Sequence, residues 1–143
     1  MAVLHDRPVA EIEPERLYRL LALRAAVFVV EQACVYLDPD GRDLEPGARQ
    51  LWFEEGDGTV VAVARVLADG DGSRIGRIAT AAPNRGQGLG ARLVEHFLAS
   101  SAGPWRLDAQ AYLADWYQGF GFVLDGPEYL DDGIPHVPMM RRA

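Results

Sequence analysis

Arg77-Ile78-Ala79-Thr80-Ala81-Ala82-Pro83-Asn84-Arg85-Gly86-Gln87-Gly88-Leu89-Gly90-Ala91 is the stretch on which the fold of this chain turns. A β-leaning run, Ile75 to Thr80, enters it, and a glycine-rich turn follows. Leu89, Leu93, Phe97 and Leu98 then leave it at helical spacing. Gly86, Gly88 and Gly90 alternate, so no side chain covers the N–H groups of the turn. At a helix N-terminus such N–H groups converge where the helix dipole also favours negative charge. Arg85 adds a positive charge beside them. The stretch reads as a phosphate cradle. The plainer alternative is a strand-to-helix turn that needs glycine only for its backbone angles.

Three phosphate loops compete for this pattern. A Walker loop ends in Gly-Lys-Ser/Thr, which is missing. Gly86-Gln87-Gly88-Leu89-Gly90-Ala91 fits the dinucleotide fingerprint G-x-G-x-x-A, and Asp108 follows at about the expected 20 residues. That fingerprint normally opens a doubly wound sheet, and the tail after Ala91 is too short to supply one. The third pattern, Arg-x-x-Gly-x-Gly, is met by Arg85, Gly88 and Gly90.

The rest of the chain separates them. Its 143 residues suit one domain, residues 1–143, with a sizeable core. There is no apolar run of the roughly 18 residues that a membrane span needs, and no secretory signal pattern. Cys34 is the only cysteine, so no internal disulfide or cysteine-pair metal site forms. A cytoplasmic protein is expected. The net charge of −7 disfavours nucleic acid and anionic membrane as partners. It suits an amine-bearing small molecule or peptide, although most of the acidic residues are expected simply to be solvated.

Pro14 is placed to begin a helix that Leu17, Leu20, Leu21, Ala25 and Phe28 continue. The cluster Val27, Val29, Val30 favours a break there. Asp38 to Asp43 is a loop. It is not a calcium loop, because Gly41 stands fourth instead of sixth and Arg49 stands where the closing glutamate belongs. Leu51–Glu54, Thr59–Leu67 and Ser73–Thr80 are predicted strands of an antiparallel meander, joined by glycine-rich hairpin signals. Val60 to Ala64 is apolar on both faces, as in a central strand. Arg65 and Arg77 interrupt these runs and are expected to reach solvent or a carboxylate. After the cradle helix come a strand, Trp105–Ala109, a helix, Tyr112–Gly119, and a strand, Phe120–Leu124. An acidic loop, Gly126–Pro135, leads to a last strand, His136–Met140.

This order, a meander, one βαβ crossover and a closing hairpin, departs from serial βαβ. Arg85-Gly86-Gln87-Gly88-Leu89-Gly90 resembles the coenzyme A loop of the GNAT acyltransferases, and Trp116-Tyr117-Gln118-Gly119-Phe120-Gly121-Phe122 resembles their Tyr-x-x-x-Gly-Phe segment. Leu23-Arg24 through Val27-Phe28-Val29-Val30-Glu31-Gln32, Tyr36-x-Asp38-x-Asp40-Gly41 and Asp132-Gly133-Ile134-Pro135-His136 resemble the ElaA-type group. The resemblance implies an α/β (α+β) GNAT fold: a mixed central sheet with an antiparallel N-terminal meander and helices on both faces. It implies an N-acetyltransferase using acetyl-CoA. Ile78, Ala79 and Thr80, the loop residues Arg85, Gly86, Gln87, Gly88, Leu89, Gly90 and Ala91, and Gln110 would hold the cofactor. The chain departs from many members in the placement of Pro83 and in having Gln110 where asparagine is common.

Direct transfer of an acetyl group to an amine sets three tasks: hold an anionic cofactor, stabilise an oxyanion, and move protons. A backbone N–H near Ile78 to Thr80 suits the oxyanion. Tyr117 is the expected general acid. Glu31, Gln32, Asp38, Glu128 and His136 are candidates to meet the acceptor, with Glu31 and His136 foremost as proton acceptors. No metal is expected. An acyl-CoA-binding regulatory protein without transferase activity would use the same cradle.

Overall fold

The computed structural model describes residues 1–143. Strands β1 (Val3–Pro8), β2 (Arg49–Glu54), β3 (Val60–Asp69) and β4 (Gly72–Thr80) form an antiparallel meander. Helix α1 (Pro14–Arg24) connects β1 to β2 through a long loop. Helix α2 (Leu89–Ser100) crosses from β4 to the parallel strand β5 (Trp105–Gln110). Helix α3 (Ala114–Gln118) follows, then β6 (Val123–Leu124), β7 (Tyr129–Asp131) and β8 (Ile134–Arg141). The sheet order is β1-β2-β3-β4-β5-β8-β6, with β7 also paired to β8.

Strand alternation sends apolar side chains to both faces, and helices cover both. Leu89, Leu93, Val94 and Phe97 line one face of α2 and pack on Phe53, Ala62 and Ile75. On the opposite face Leu20 of α1 meets Trp52, Val63 and Ala79. β3 lies between these layers, and its first eight residues are all buried. Truncating Phe97, which is fully buried, is expected to cost about 3–5 kcal/mol.

Four local expectations are corrected. The valine cluster does not break the first helix. The chain keeps winding from Ala25 to Glu31 as a π-helical segment, a wider turn of a kind that recurs at functional sites. The predicted strand Phe120–Leu124 shrinks to Val123–Leu124. Gly121, at φ +89°, turns the chain there, and Phe122 fills the core instead. The acidic loop contains β7, and the last strand starts earlier than expected, at Ile134. Finally, Asp38 and Asp43 are buried, not solvated.

Those two aspartates have partners. Arg24, fully buried, donates through Nε to Asp38 at 2.9 Å and through Nη1 to Asp43 at 2.6 Å. Arg65 reaches Asp40 at 2.8 Å and Asp43 at 3.4 Å. Burial pushes the Asp43 carboxyl up, but hydrogen bonds and charge from Arg24, with the charge of Arg65, hold it below the usual carboxylate range. This network fastens the loop after the π-helical segment to the sheet.

Candidate active site

β4 and β5 share only two pairs, Ser73 with Trp105 and Arg74 with Arg106. Beyond them the strands part, and the β5-facing edge of β4 from Ile75 to Thr80 has no ladder partner. A bulge accompanies the parting. Val63 pairs with Ala79 and Arg65 with Gly76, so Arg77 and Ile78 together oppose Ala64. Such a bulge bends a strand and re-aims its side chains. Arg77 takes a left-handed φ of +50°, a strain of order 1 kcal/mol that the surroundings must hold. They do so with Asp38 2.8 Å from Nε, Asp40 3.2 Å from Nη2, and the Tyr36 ring 5.4 Å beneath the guanidinium.

The parted strands open a cleft of about 830 Å³. At one end lies the glycine turn. The backbone N–H groups of residues 86–91 donate to no acceptor in the chain; the first helical bond runs from Arg92 to the Gly88 carbonyl. Gly86 (φ +80°) and Gly88 (φ +77°) have nothing within 4 Å of where a Cβ would stand. Gly90 faces the Trp116 ring at 3.8 Å from that position. The turn therefore combines unpaired donors, empty space and the start of a twelve-residue helix. An anion fits there. Leu89 is buried in the core, so it can offer only its N–H group. The side chains of Gln87 and Ala91 stand outside the cleft lining, whereas Ile78, Ala79 and Thr80 line it beside Arg85.

Arg85, the positive charge beside the turn, is paired within the chain. Both terminal nitrogens donate to Glu31 at 2.6 Å, and Nε donates to the Thr80 carbonyl at 3.1 Å. The Arg85 hydrogen bonds hold the Glu31 carboxyl below its usual range. Glu31 is thus fixed to the cradle, where it lines the cleft and stays half exposed.

The opposite end of the cleft follows from strand alternation. Leu107, Ala109, Val137 and Met139 point into the core with α2 and α3. Asp108, Gln110 and His136 therefore face the other side of the sheet, where Tyr129 of β7 stacks on His136. Gln32 and Tyr36 form the facing wall. Gln110 donates to Gln32 at 3.3 Å, and the Cys34 thiol lies 3.5 Å from the Asp132 carbonyl, so the walls touch across the groove. Two expected acceptor residues lie elsewhere. Asp38 is 2 % exposed and committed to Arg24 and Arg77. Glu128 is exposed and outside the cleft lining.

Tyr117 sits where the two halves meet. Its ring packs edge-on against Trp116 at 4.9 Å and Phe122 at 6.3 Å. Its hydroxyl takes no hydrogen bond from the chain and is not sealed in the core. Burial, and then the neighbouring Tyr112, push the phenol up to about 12.

Sequence reading passed over Tyr129, Asp108 and Trp116 as lining groups, and Arg77 as a strained one. The arginine had stood out only as a charge inside an apolar strand.

An acetyltransferase (GNAT) domain model matches residues 26–143. The chain belongs to the GNAT acetyltransferase family. Protein ElaA of Escherichia coli K12 is 40% identical over 142 residues, covering 94% of this chain and 92% of that protein. A UPF0039 protein of Mycobacterium tuberculosis is 49% identical over 136 residues, covering 92% of this chain and 87% of that one. The crystal structure of Escherichia coli ElaA superposes with a TM-score of 0.91 at 38% identity, covering 99% of this chain and 100% of that one. That of an acyl-CoA N-acyltransferase from Pseudomonas aeruginosa gives 0.92 at 36% identity, covering 99% of each chain. The mixed eight-stranded sheet with three α-helices is the GNAT acyl-CoA N-acyltransferase fold, and acyl transfer from an acyl-CoA is the chemistry of the family. No helix is long and apolar enough to cross a membrane.

Proposed function

We propose that this GNAT protein transfers an acetyl group from acetyl-CoA directly to the amine of a small molecule or peptide. One observation carries this reading: a turn of unpaired backbone donors opens on the same cleft as an unpartnered tyrosine hydroxyl. The N–H groups of residues 86–91 would hold the pyrophosphate. The free edge of β4 at Ile78 to Thr80 would align the pantetheine arm and donate to the developing oxyanion. Gln110, tied to Gln32, would border that arm. When bound, acetyl-CoA supplies an acyl group activated as a thioester, with a thiol to be released.

The chain supplies positions and protons. Tyr117, kept protonated by burial, would donate to the departing sulfur. The cleft walls would hold the acceptor on the α1 side of the sheet. The charges there largely cancel: Arg65 and Arg77 meet Asp40, and Arg74 meets Asp108. Asp131 and Asp132 remain without arginine partners at the rim, which favours a cationic acceptor.

Acetyl-CoA should raise the melting temperature by mass action. Free-thiol release with polyamines, amino acids, aminoglycosides and basic peptides should then find an amine acceptor. No thermal shift at millimolar cofactor would overturn the binding reading. A shift without turnover on any amine would leave an acyl-CoA-binding regulatory protein.

A further inference from the structure

His136 on β8 stands opposite Gln110 of β5. Its Nδ1 lies 2.7 Å from the carbonyl oxygen of Ile134. A carbonyl oxygen only accepts, so Nδ1 carries the proton, and the neutral ring must keep its lone pair on Nε2. The ring is held against Tyr129, with centroids 5.9 Å apart and planes 28° from parallel. Val137 and Met139 fix the strand in the core. His136 is half-buried and lines the acceptor groove.

The other proton acceptors within the groove, apart from Asp131 and Asp132 at its rim, are already engaged. Glu31 is paired to Arg85, Asp40 to Arg65 and Arg77, and Asp108 to Arg74. Tyr36 and Tyr129 are pushed up to about 12, first by burial, and keep their protons. The Cys34 thiol points at the Asp132 carbonyl. Asp131 and Asp132 are exposed at the rim. A carboxylate is also a weaker base toward an ammonium than an imidazole is, by roughly two pKa units.

We propose that His136 is the general base of the transfer. Nε2 takes one proton from the acceptor's ammonium group, leaving a neutral amine with a free lone pair. The resulting imidazolium returns that proton to water at the open side of the groove. The inference rests on the transfer reading above. It also accounts for the Ile134 contact, which fixes the tautomer that a base needs.

The test uses His136→Asn, whose side-chain amide can keep the donor to Ile134 while removing Nε2. Nitrogen-15 NMR of the wild-type imidazoles should show the neutral His136 ring protonated at Nδ1 and bare at Nε2. The acetyl-CoA thermal shift should be the same in both proteins. Thiol release is then compared for alkylamines, which are ammonium ions at neutral pH, and for aniline and hydroxylamine, which are already neutral. His136→Asn should slow alkylamine transfer by roughly 10²–10⁴-fold and leave any transfer to the neutral amines much less affected. A proton on Nε2 of the neutral ring would overturn the assignment. So would alkylamine turnover above about a third of wild type, or equal slowing of both amine classes. If the wild type transfers to no amine, the transfer reading itself fails and the base assignment falls with it.

Discussion

The Arg85 guanidinium spans two elements, donating to both carboxylate oxygens of Glu31 at 2.6 Å and to the Thr80 carbonyl at 3.1 Å. It joins the end of the π-helical segment to the end of β4, directly before the glycine turn. All three donating nitrogens are in use within the chain. Arg85 therefore acts as a strap on the cradle, while the backbone supplies the donors. Glu31→Gln and Arg85→Lys are each expected to loosen the turn and weaken coenzyme A binding severalfold. The double variant should be little worse than either single one, because both remove the same pair. Calorimetric binding constants for the four proteins check this. Tighter binding in Glu31→Gln would mean that Arg85 leaves the glutamate for the cofactor.

Gly88 begins α2 at φ +77°, with open space where a Cβ would stand. Gly88→Asp puts a side chain and a negative charge into that space and strains the backbone. The thermal shift given by acetyl-CoA should vanish. Circular dichroism should show the fold intact, with a lower melting temperature. A retained shift would place the cofactor elsewhere in the cleft.

Tyr117→Phe removes one oxygen that has no hydrogen-bond partner within the chain. Stability and coenzyme A binding should hardly change, while transfer slows by roughly 10²–10⁴-fold. The hydroxyl, pushed up to about 12 by burial and Tyr112, keeps its proton across the neutral range, so no loss of activity between pH 6 and 9 should trace to it. Turnover above about a third of wild type would exclude Tyr117 as proton donor.

Arg24 is fully buried between Asp38 and Asp43. Arg24→Met keeps much of the volume and leaves two buried carboxylates without their main partner. The expected loss is about 3–5 kcal/mol, read as a drop in the denaturation midpoint with an unchanged slope. A loss below about 1 kcal/mol would mean that Arg65 and Arg77 neutralise the pair unaided.

On the other side of the sheet Asp6 accepts from Arg49 at 2.8 Å and lies 2.9 Å from His96. Burial pushes its carboxyl up, but hydrogen bonds and charge from Arg49 and His96 outweigh this, leaving it below its ordinary value. A depressed carboxylate contributes stability that is fully present above the unfolded value of about 3.9 and is lost as pH falls through the lower folded value. Between pH 4 and 2 the wild type should therefore lose stability more steeply than Asp6→Asn. Parallel melting curves over that window would remove Asp6 from the acid response.

Much of this was written locally. The strand, glycine turn and apolar helix face from Ile75 to Leu98 specify a cradle, because backbone angles and amphipathic spacing act within a few residues. The meander followed likewise from alternation and hairpin glycines. Tyr117 could be placed beside the cleft because the order of elements fixes which helix follows the crossover.

The chemistry of the far wall was not legible in that way. Glu31 and Arg85 are 54 residues apart, and nothing near either announces the pair that ties Glu31 to the cradle. Asp38 read as a candidate to meet the acceptor, and it is buried against Arg24 instead. The left-handed backbone of Arg77, the pairing of β7 and the Nδ1 contact that fixes His136 depend on register between distant strands. Hydrogen bonds and charges act over a few ångströms in space, so a side chain's role depends on which neighbours folding brings within that range.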